Sequence, residues 1–143
     1  MSTRSRKEAK KYSKHLKDRT SADCDFCLID KKTDQLVKET KSFKIIKNIF
    51  PYSLWEIQPV NDHLLIVPKI HTDTLSDLNA KDAKEFVEIM SEYEKQGYNV
   101  YARAPQNTMK TIVHQHTHLI KISGRQRRTL LTIVRPFYFR FPR

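Results

Sequence analysis

The sequence predicts an α+β domain: an antiparallel sheet of about five strands with one long helix packed on it. Three observations carry that prediction. One long stretch, 79–96, has apolar residues at helical spacing; short strand-like segments lie on either side of it; and proline, glycine or aspartate marks the segment boundaries. With 143 residues, 38% of them hydrophobic, the chain is one domain's worth and supports a single compact core.

The helix rests on its ends as well as its stripe. Asn79 can cap it with Asp82 three residues on, Ala83, Phe86, Val87, Met90 and Tyr93 form the apolar stripe, and Gly97 stops it. Ahead of it, Leu36-Val37 and Phe43–Lys47 read as strands. After Pro51 come two more, Tyr52–Ile57 and His63–Val67, the second bounded by Asp62 and Pro68. Behind the helix, Tyr98–Ala102 leads through the loop Ala104–Asn107 into Thr111–Lys121. Residues 4–19 contain good helix formers, but only Ala9, Tyr12 and Leu16 are spaced as an apolar face, so a solvated helix is expected, with His15 at its surface. Thr129–Val134 and Phe137–Phe141 read as two further strands broken by Pro136.

The formal charge of +11 sits at the ends. Residues 1–20 hold eight Lys/Arg against two acids, residues 124–143 hold six Arg and no acid, and the middle is close to neutral. Basic termini around a neutral centre suit contact with a polyanion such as nucleic acid or polyphosphate, and they equally suit simple solubilisation. In the tail, arginines interleaved with aromatics fit single-stranded nucleic acid, whereas Phe137, Phe139 and Phe141 also alternate as a core edge should, which is the preferred reading. No apolar run reaches 18 residues and none resembles a signal peptide, so a cytoplasmic protein without a membrane span is expected.

The chemistry concentrates in Thr111–Lys121. Read as a strand, it puts Ile112, His114, His116, His118 and Ile120 on one face, because successive side chains leave opposite faces. Imidazole is both a nucleophile and a proton carrier near neutral pH, so three in a row suit phosphoryl or nucleotidyl transfer. Cys24 and Cys27, at C-x-x-C spacing, can supply two of the four ligands of a zinc site. A redox pair and two plain thiols compete with that reading, but the intervening Asp25-Phe26 lacks the Gly or Pro usual in redox motifs, and zinc is preferred.

Three segments then stand in a telling order: Cys24-Asp25-Phe26-Cys27; His63-Leu64-Leu65-Ile66-Val67-Pro68-Lys69-Ile70-His71; and His114-Gln115-His116-Thr117-His118-Leu119-Ile120. Together they resemble the zinc-bearing branch of the histidine triad (HIT) family of nucleotide hydrolases and transferases. The resemblance spans residues 24–121 and implies a HIT-like domain at 23–123, with a basic extension at 1–22 and basic aromatic strands at 124–143. It also implies pairing as a homodimer.

In such a protein His116 attacks the α-phosphorus of a nucleotide, and water then releases a nucleoside monophosphate. The substrate would be a dinucleoside polyphosphate, a nucleoside phosphoramidate or an adenylylated compound. The resemblance assigns the His114 carbonyl to hold the other His116 nitrogen, His118 to the phosphoryl oxygens, and Thr111 to protonation of the leaving group. Lys110 would meet phosphate charge and His63 would line the nucleotide pocket. Structural zinc would take Cys24, Cys27, His71 and His114.

Departures from the family pattern matter too. Gln115 and Thr117 stand where apolar residues usually alternate with the triad, and Met109-Lys110 stands where Gly-Gln is common. The acid that usually holds the ribose, eight residues before His63, is Trp55 here, with Glu56 beside it. Either Glu56 holds the ribose or Trp55 stacks on the base. The leading reading is therefore a HIT-type nucleotide hydrolase; the alternative is a zinc-stabilised nucleic-acid-binding module whose triad is structural.

Overall fold

The computed structural model describes residues 2–18, 24–125, 132–134 and 138–140. In chain order its elements are β1 (Ser2–Thr3), α1 (Arg6–Asp18), α2 (Asp25–Leu28), β2 (Leu36–Glu39), β3 (Phe43–Lys47), β4 (Leu54–Trp55) and β5 (Gln58–Pro68). A short 3-10 turn, Leu75–Asp77, precedes α3 (Ala80–Lys95), and then come β6 (Tyr98–Ala102), β7 (Thr117–Ile122), β8 (Thr132–Val134) and β9 (Tyr138–Arg140).

The main sheet runs β2-β3-β5-β7-β6, antiparallel throughout, which is the expected five strands. Two short strands extend it, β4 on the start of β5 and β1 on β4. β5 is central because its eleven residues hold an apolar run long enough to be buried on both faces. Period-2 alternation then divides the core. Phe43, Ile45, Leu64, Ile66 and Leu119 face α3 and pack on Phe86, Ile89 and Tyr93. Ile46, Leu65 and Val67 face the other way, onto Phe26 and Ile29 of the α2 region.

α3 has the expected ends: the Asn79 side chain accepts from the Lys81 and Asp82 amides, both at 3.0 Å, and Gly97 turns the chain at φ 84°. Its stripe differs from the expectation. Val87 is 57% exposed and Ile89 is buried, because the seam follows 86, 89, 90 and 93 at the i, i+3, i+4, i+7 rhythm. Two strand expectations are also corrected. Tyr52–Ile57 shrinks to β4, since Trp55 pairs with Gln58 across a two-residue turn whose Glu56 and Ile57 have φ of 51° and 67°. The triad segment is strand only from Thr117, so His114 and His116 precede β7 in irregular chain.

α1 has no buried residue, as a solvated helix should, but it is not free. Tyr12 and His15 contact the Phe50 ring with centroids 5.3 and 4.9 Å apart. In the tail, β8 and β9 pair antiparallel. The core-edge reading of Phe137, Phe139 and Phe141 falls on side chains outside the described residues.

A candidate active site beside a four-ligand cluster

β7 positions the last triad histidine by register: His118 lies between Leu65 of β5 and Tyr101 of β6. Upstream, the backbone folds so that the His116 ring returns onto its own chain. His116 Nδ1–H donates to the His114 carbonyl at 2.8 Å, which leaves the Nε2 lone pair unengaged. Burial lowers the pKa of His116; its hydrogen bond to His114 opposes this, and the charges of Lys110 and Arg103 add to the lowering. The ring is therefore a neutral imidazole with one nitrogen fixed and the other available.

His118 carries the opposite polarity. The Tyr52 amide donates to His63 Nδ1 at 3.1 Å, so the His63 proton sits on Nε2 and is donated to His118 Nδ1 at 2.9 Å. The proton of His118 is thereby placed on Nε2, which is buried and has no hydrogen-bond partner among the described residues. Burial pushes His63 down to about 3 and His118 down to about 2, so neither competes for a proton at neutral pH. An orphaned buried N–H beside an imidazole lone pair is an arrangement that a phosphoryl oxygen would complete.

Gln115 and Thr117 alternate with the triad and are buried as well. The Gln115 amide donates to the Thr72 carbonyl at 2.6 Å, and its side-chain oxygen accepts from Lys110 Nζ at 3.3 Å. Lys110 Nζ also donates to the Asp73 carbonyl at 2.8 Å. Gln115 thus ties the triad segment to the loop that follows β5, while the buried Thr117 hydroxyl has no hydrogen-bond partner among the described residues.

On the other side of that segment is a second cluster. His114 Nε2–H donates to the Pro68 carbonyl at 3.0 Å, so its Nδ1 lone pair faces the cysteines, 3.3 Å from Cys24 Sγ and 3.5 Å from Cys27 Sγ. His71 Nδ1 lies 3.3 Å from Cys27 Sγ. The four ligand atoms of Cys24, Cys27, His71 and His114 all lie within 4.8 Å of one another. These spacings are close to the edges of a tetrahedron built on metal–ligand bonds of about 2.0–2.3 Å. The residue types and the His114 tautomer fit a divalent metal ion.

The histidines open onto a cavity of about 330 Å³, at the lower end of the range typical of small-ligand sites. Its lining combines apolar side chains, among them Phe26, Ile29, Ile46 and Leu65, with polar ones that include His116, His118, Thr111, Arg103 and Arg4. His63 stands behind this surface, hydrogen-bonded to His118, whereas Lys110 and its partner Gln115 are not among the lining residues. Trp55 and Glu56 are not among the residues that line it: Trp55 packs on Tyr52 and Tyr101, and Glu56 is exposed on its turn. Counting back eight residues from His63 lands inside the β4–β5 hairpin. The residue that borders the cavity at the end of β3 is Asn48, whose amide donates to the His63 carbonyl at 3.0 Å.

Sequence reasoning missed Asn48, Phe26, Arg4, Tyr12 and Arg103. Arg103 had a usable signal, since Ala102 pairs with Thr117 and the next residue must therefore come beside His116.

Residues 30–125 match the HIT domain family, well over half of the chain. The chain belongs to the HIT family. An adenosine 5'-monophosphoramidase of Candida albicans is 30% identical to it over 112 residues, 69% of this chain and 70% of that protein. A HIT family hydrolase from Legionella pneumophila superposes with a TM-score of 0.53 at 27% identity, covering 73% of this chain and 95% of that one. A zinc-bound histidine triad protein from Mycobacterium smegmatis has the same fold, with a TM-score of 0.52 at 21% identity over 73% and 82% of the two chains. The HIT match begins after Cys24, Cys27 and α1, so these reach the site from outside the matched residues.

Proposed function

We propose that this HIT protein is a nucleotide hydrolase that releases a nucleoside monophosphate through a nucleotidyl intermediate on His116. The observation that carries the proposal is the pair of complementary tautomers at the cavity: an imidazole lone pair on His116 and an unpartnered N–H on His118. The apolar part of the lining would take a base, Asn48 the ribose, and the α-phosphate would lie against the histidines.

His116 Nε2 forms a bond to the α-phosphorus while the bond from phosphorus to the leaving group breaks, and the leaving atom keeps the electron pair. Any proton it needs would come from Thr111 or water. Water then attacks phosphorus and gives up one proton, to Thr111 where that residue protonated the leaving group and otherwise to solvent; the Nε2–phosphorus bond breaks, nitrogen keeps its electron pair, and the ring returns neutral. Throughout, the His118 N–H faces the phosphoryl oxygens and the His114 carbonyl holds the nucleophile's other nitrogen.

The second part of the proposal is that Cys24, Cys27, His71 and His114 hold structural zinc. The ligand chemistry, the 4.8 Å envelope and the lone pair turned toward the sulfurs support it. Zinc bound there would crosslink α2 to the segment after β5 and to the His114 backbone. The same reading includes a cytoplasmic homodimer, for which light scattering gives the mass.

The direct test is intact mass spectrometry during turnover with adenosine and guanosine polyphosphates and phosphoramidates. An adduct of one nucleoside monophosphate is expected on the wild type and none on His116→Ala. No adduct and no product from any of these compounds would overturn the hydrolase reading. Salt-dependent binding of nucleic acid that is indifferent to His116→Ala would then favour the binding-module alternative.

A further inference from the structure

We infer that Arg4 and Arg103 form an anion subsite on the leaving-group side of the scissile bond, which selects phosphoanhydrides over phosphoramidates. The inference rests on the hydrolase reading and names its substrate class.

Arg103 follows β6 directly. It is half-buried at the cavity, and among the described residues it makes no hydrogen bond and no ion pair; its guanidinium carbon lies 5.6 Å from the Tyr101 ring centre and 6.0 Å from that of Tyr52. Arg4 arrives from the other end of the chain. Its Nε and Nη2 donate to the Phe50 carbonyl at 3.1 and 3.0 Å, and the guanidinium lies 4.2 Å from the Tyr12 ring centre and 5.0 Å from that of Tyr52. Two of five N–H donors are used and three remain. Tyr12 shares a hydrogen bond with the Thr111 hydroxyl, which pins the N-terminal segment to the triad loop.

The two guanidiniums therefore converge on Tyr52, whose ring centre is 5.6 Å from that of His118. No carboxylate pairs with either one among the described residues. Of the nearby acids, Glu8 pairs with Lys11 at 3.6 Å and Asp25, which also lines the cavity, lies 4.0 Å from His15. Lys110 is held by the Asp73 carbonyl and Gln115. His63 and His118 are neutral, and the charges of Arg4 and Arg103 help to keep them so. Tyr12, which the Arg4 guanidinium overlies, is hydrogen-bonded to the Thr111 hydroxyl. In the proposed reaction that hydroxyl faces the leaving group, so the cations lie on the leaving-group side of the triad.

The chemistry of guanidinium then chooses the leaving group. Its planar fork matches phosphate oxygens, but it stays charged and has no proton to give. When a phosphoanhydride reacts, the bridging P–O bond breaks and its oxygen keeps the electron pair. The departing phosphate gains one negative charge, which the arginines can meet without a proton. When a phosphoramidate reacts, the P–N bond breaks and the nitrogen must acquire a proton, which neither arginine supplies.

The test uses the full chain with Arg103→Gln, Arg103→Lys and Arg4→Gln. Arg103 makes no hydrogen bond among the described residues, so its variants carry little risk of misfolding. First, kcat/KM is compared for diadenosine tetraphosphate and adenosine 5'-phosphoramidate. Both glutamine variants are expected to lose about 10- to 100-fold on the tetraphosphate and less than about 2-fold on the phosphoramidate, with Arg103→Lys between wild type and Arg103→Gln. Equal loss on both substrates, or loss on neither, would overturn the inference. Second, calorimetry gives Kd for AMP and for ATP without any need for turnover. ATP is expected to bind at least about 10-fold tighter than AMP, with the gap closing in Arg103→Gln. ATP no tighter than AMP would overturn the subsite even if the His116 adduct forms. A gap that closes in the variant, with no adduct on any substrate, would uphold the subsite and sink the hydrolase reading instead.

Discussion

The two faces of the central sheet are made from alternate residues of the same strands, yet they do different work. On the α3 face, Phe43, Ile45, Leu64, Ile66 and Leu119 meet Phe86, Ile89 and Tyr93 in an apolar layer. On the other face, Ile46, Leu65 and Val67 share the surface with His63 and His118, and the cover is the four-residue α2 and the edge of α1. A face fully covered by one helix can be purely apolar. A face that leaves a cavity must keep polar groups whose partners arrive with the ligand, and the orphaned His118 N–H is such a group.

If that division holds, removing a catalytic ring on the open face should destroy activity and spare stability. His116→Ala is expected to lower kcat by on the order of 10³-fold or more. Its melting temperature should stay within a few degrees of wild type, since the ring's one hydrogen bond is to its own backbone. A variant that unfolds together with its loss of turnover would break the comparison, because the site would then be part of the core.

The closed face should behave in reverse. Phe86→Ala empties a position packed against Phe43, with ring centres 5.5 Å apart, and is expected to destabilise by about 3–5 kcal/mol in urea unfolding. At a temperature where the variant stays folded, its kcat should match wild type. A large fall in kcat without loss of stability would show that α3 positions the site.

Between these extremes stands the cysteine–histidine cluster, which touches both fold and chemistry through His114. Cys24→Ala, or dialysis against a strong chelator, is expected to remove zinc and lower the melting temperature together. Activity should fall in step, since the His114 carbonyl holds the ring of His116, the proposed nucleophile. Unchanged zinc stoichiometry in Cys24→Ala would exclude that cysteine as a ligand.

The same division explains what could be read in advance. The α3 face was legible because burial there obeys period and capping: Asn79, Gly97 and the 86, 90, 93 positions follow from local rules alone. Val87 was misassigned because a valine two turns from the cap satisfies the apolar pattern as well as Ile89 does, and only packing against β3 and β5 decides between them. The two ligand clusters were legible because His116, His118, Cys24 and Cys27 occur in spaced motifs. Arg4, Tyr12 and Phe26 were not, since their approach depends on how the chain ahead of the sheet folds back across it. For Trp55 and Glu56 the count back from His63 says nothing of placement, because it runs through the β4–β5 hairpin, where Trp55 pairs with Gln58.

That hairpin permits the finest test. Its turn residues, Glu56 and Ile57, both have positive φ, a conformation that two-residue hairpin turns normally give to Asn-Gly and that a β-branched residue adopts with strain. The double variant Glu56→Asn, Ile57→Gly should therefore gain about 1 kcal/mol in urea unfolding. Its KM should stay within about 2-fold of wild type, while Asn48→Ala, at the cavity border, should raise KM by about 5- to 10-fold through loss of one polar contact. The pair of measurements discriminates because stability and affinity move in different variants. A KM that rises in the turn variant instead would return Glu56 to the ribose and place the hairpin over the open face when substrate is bound.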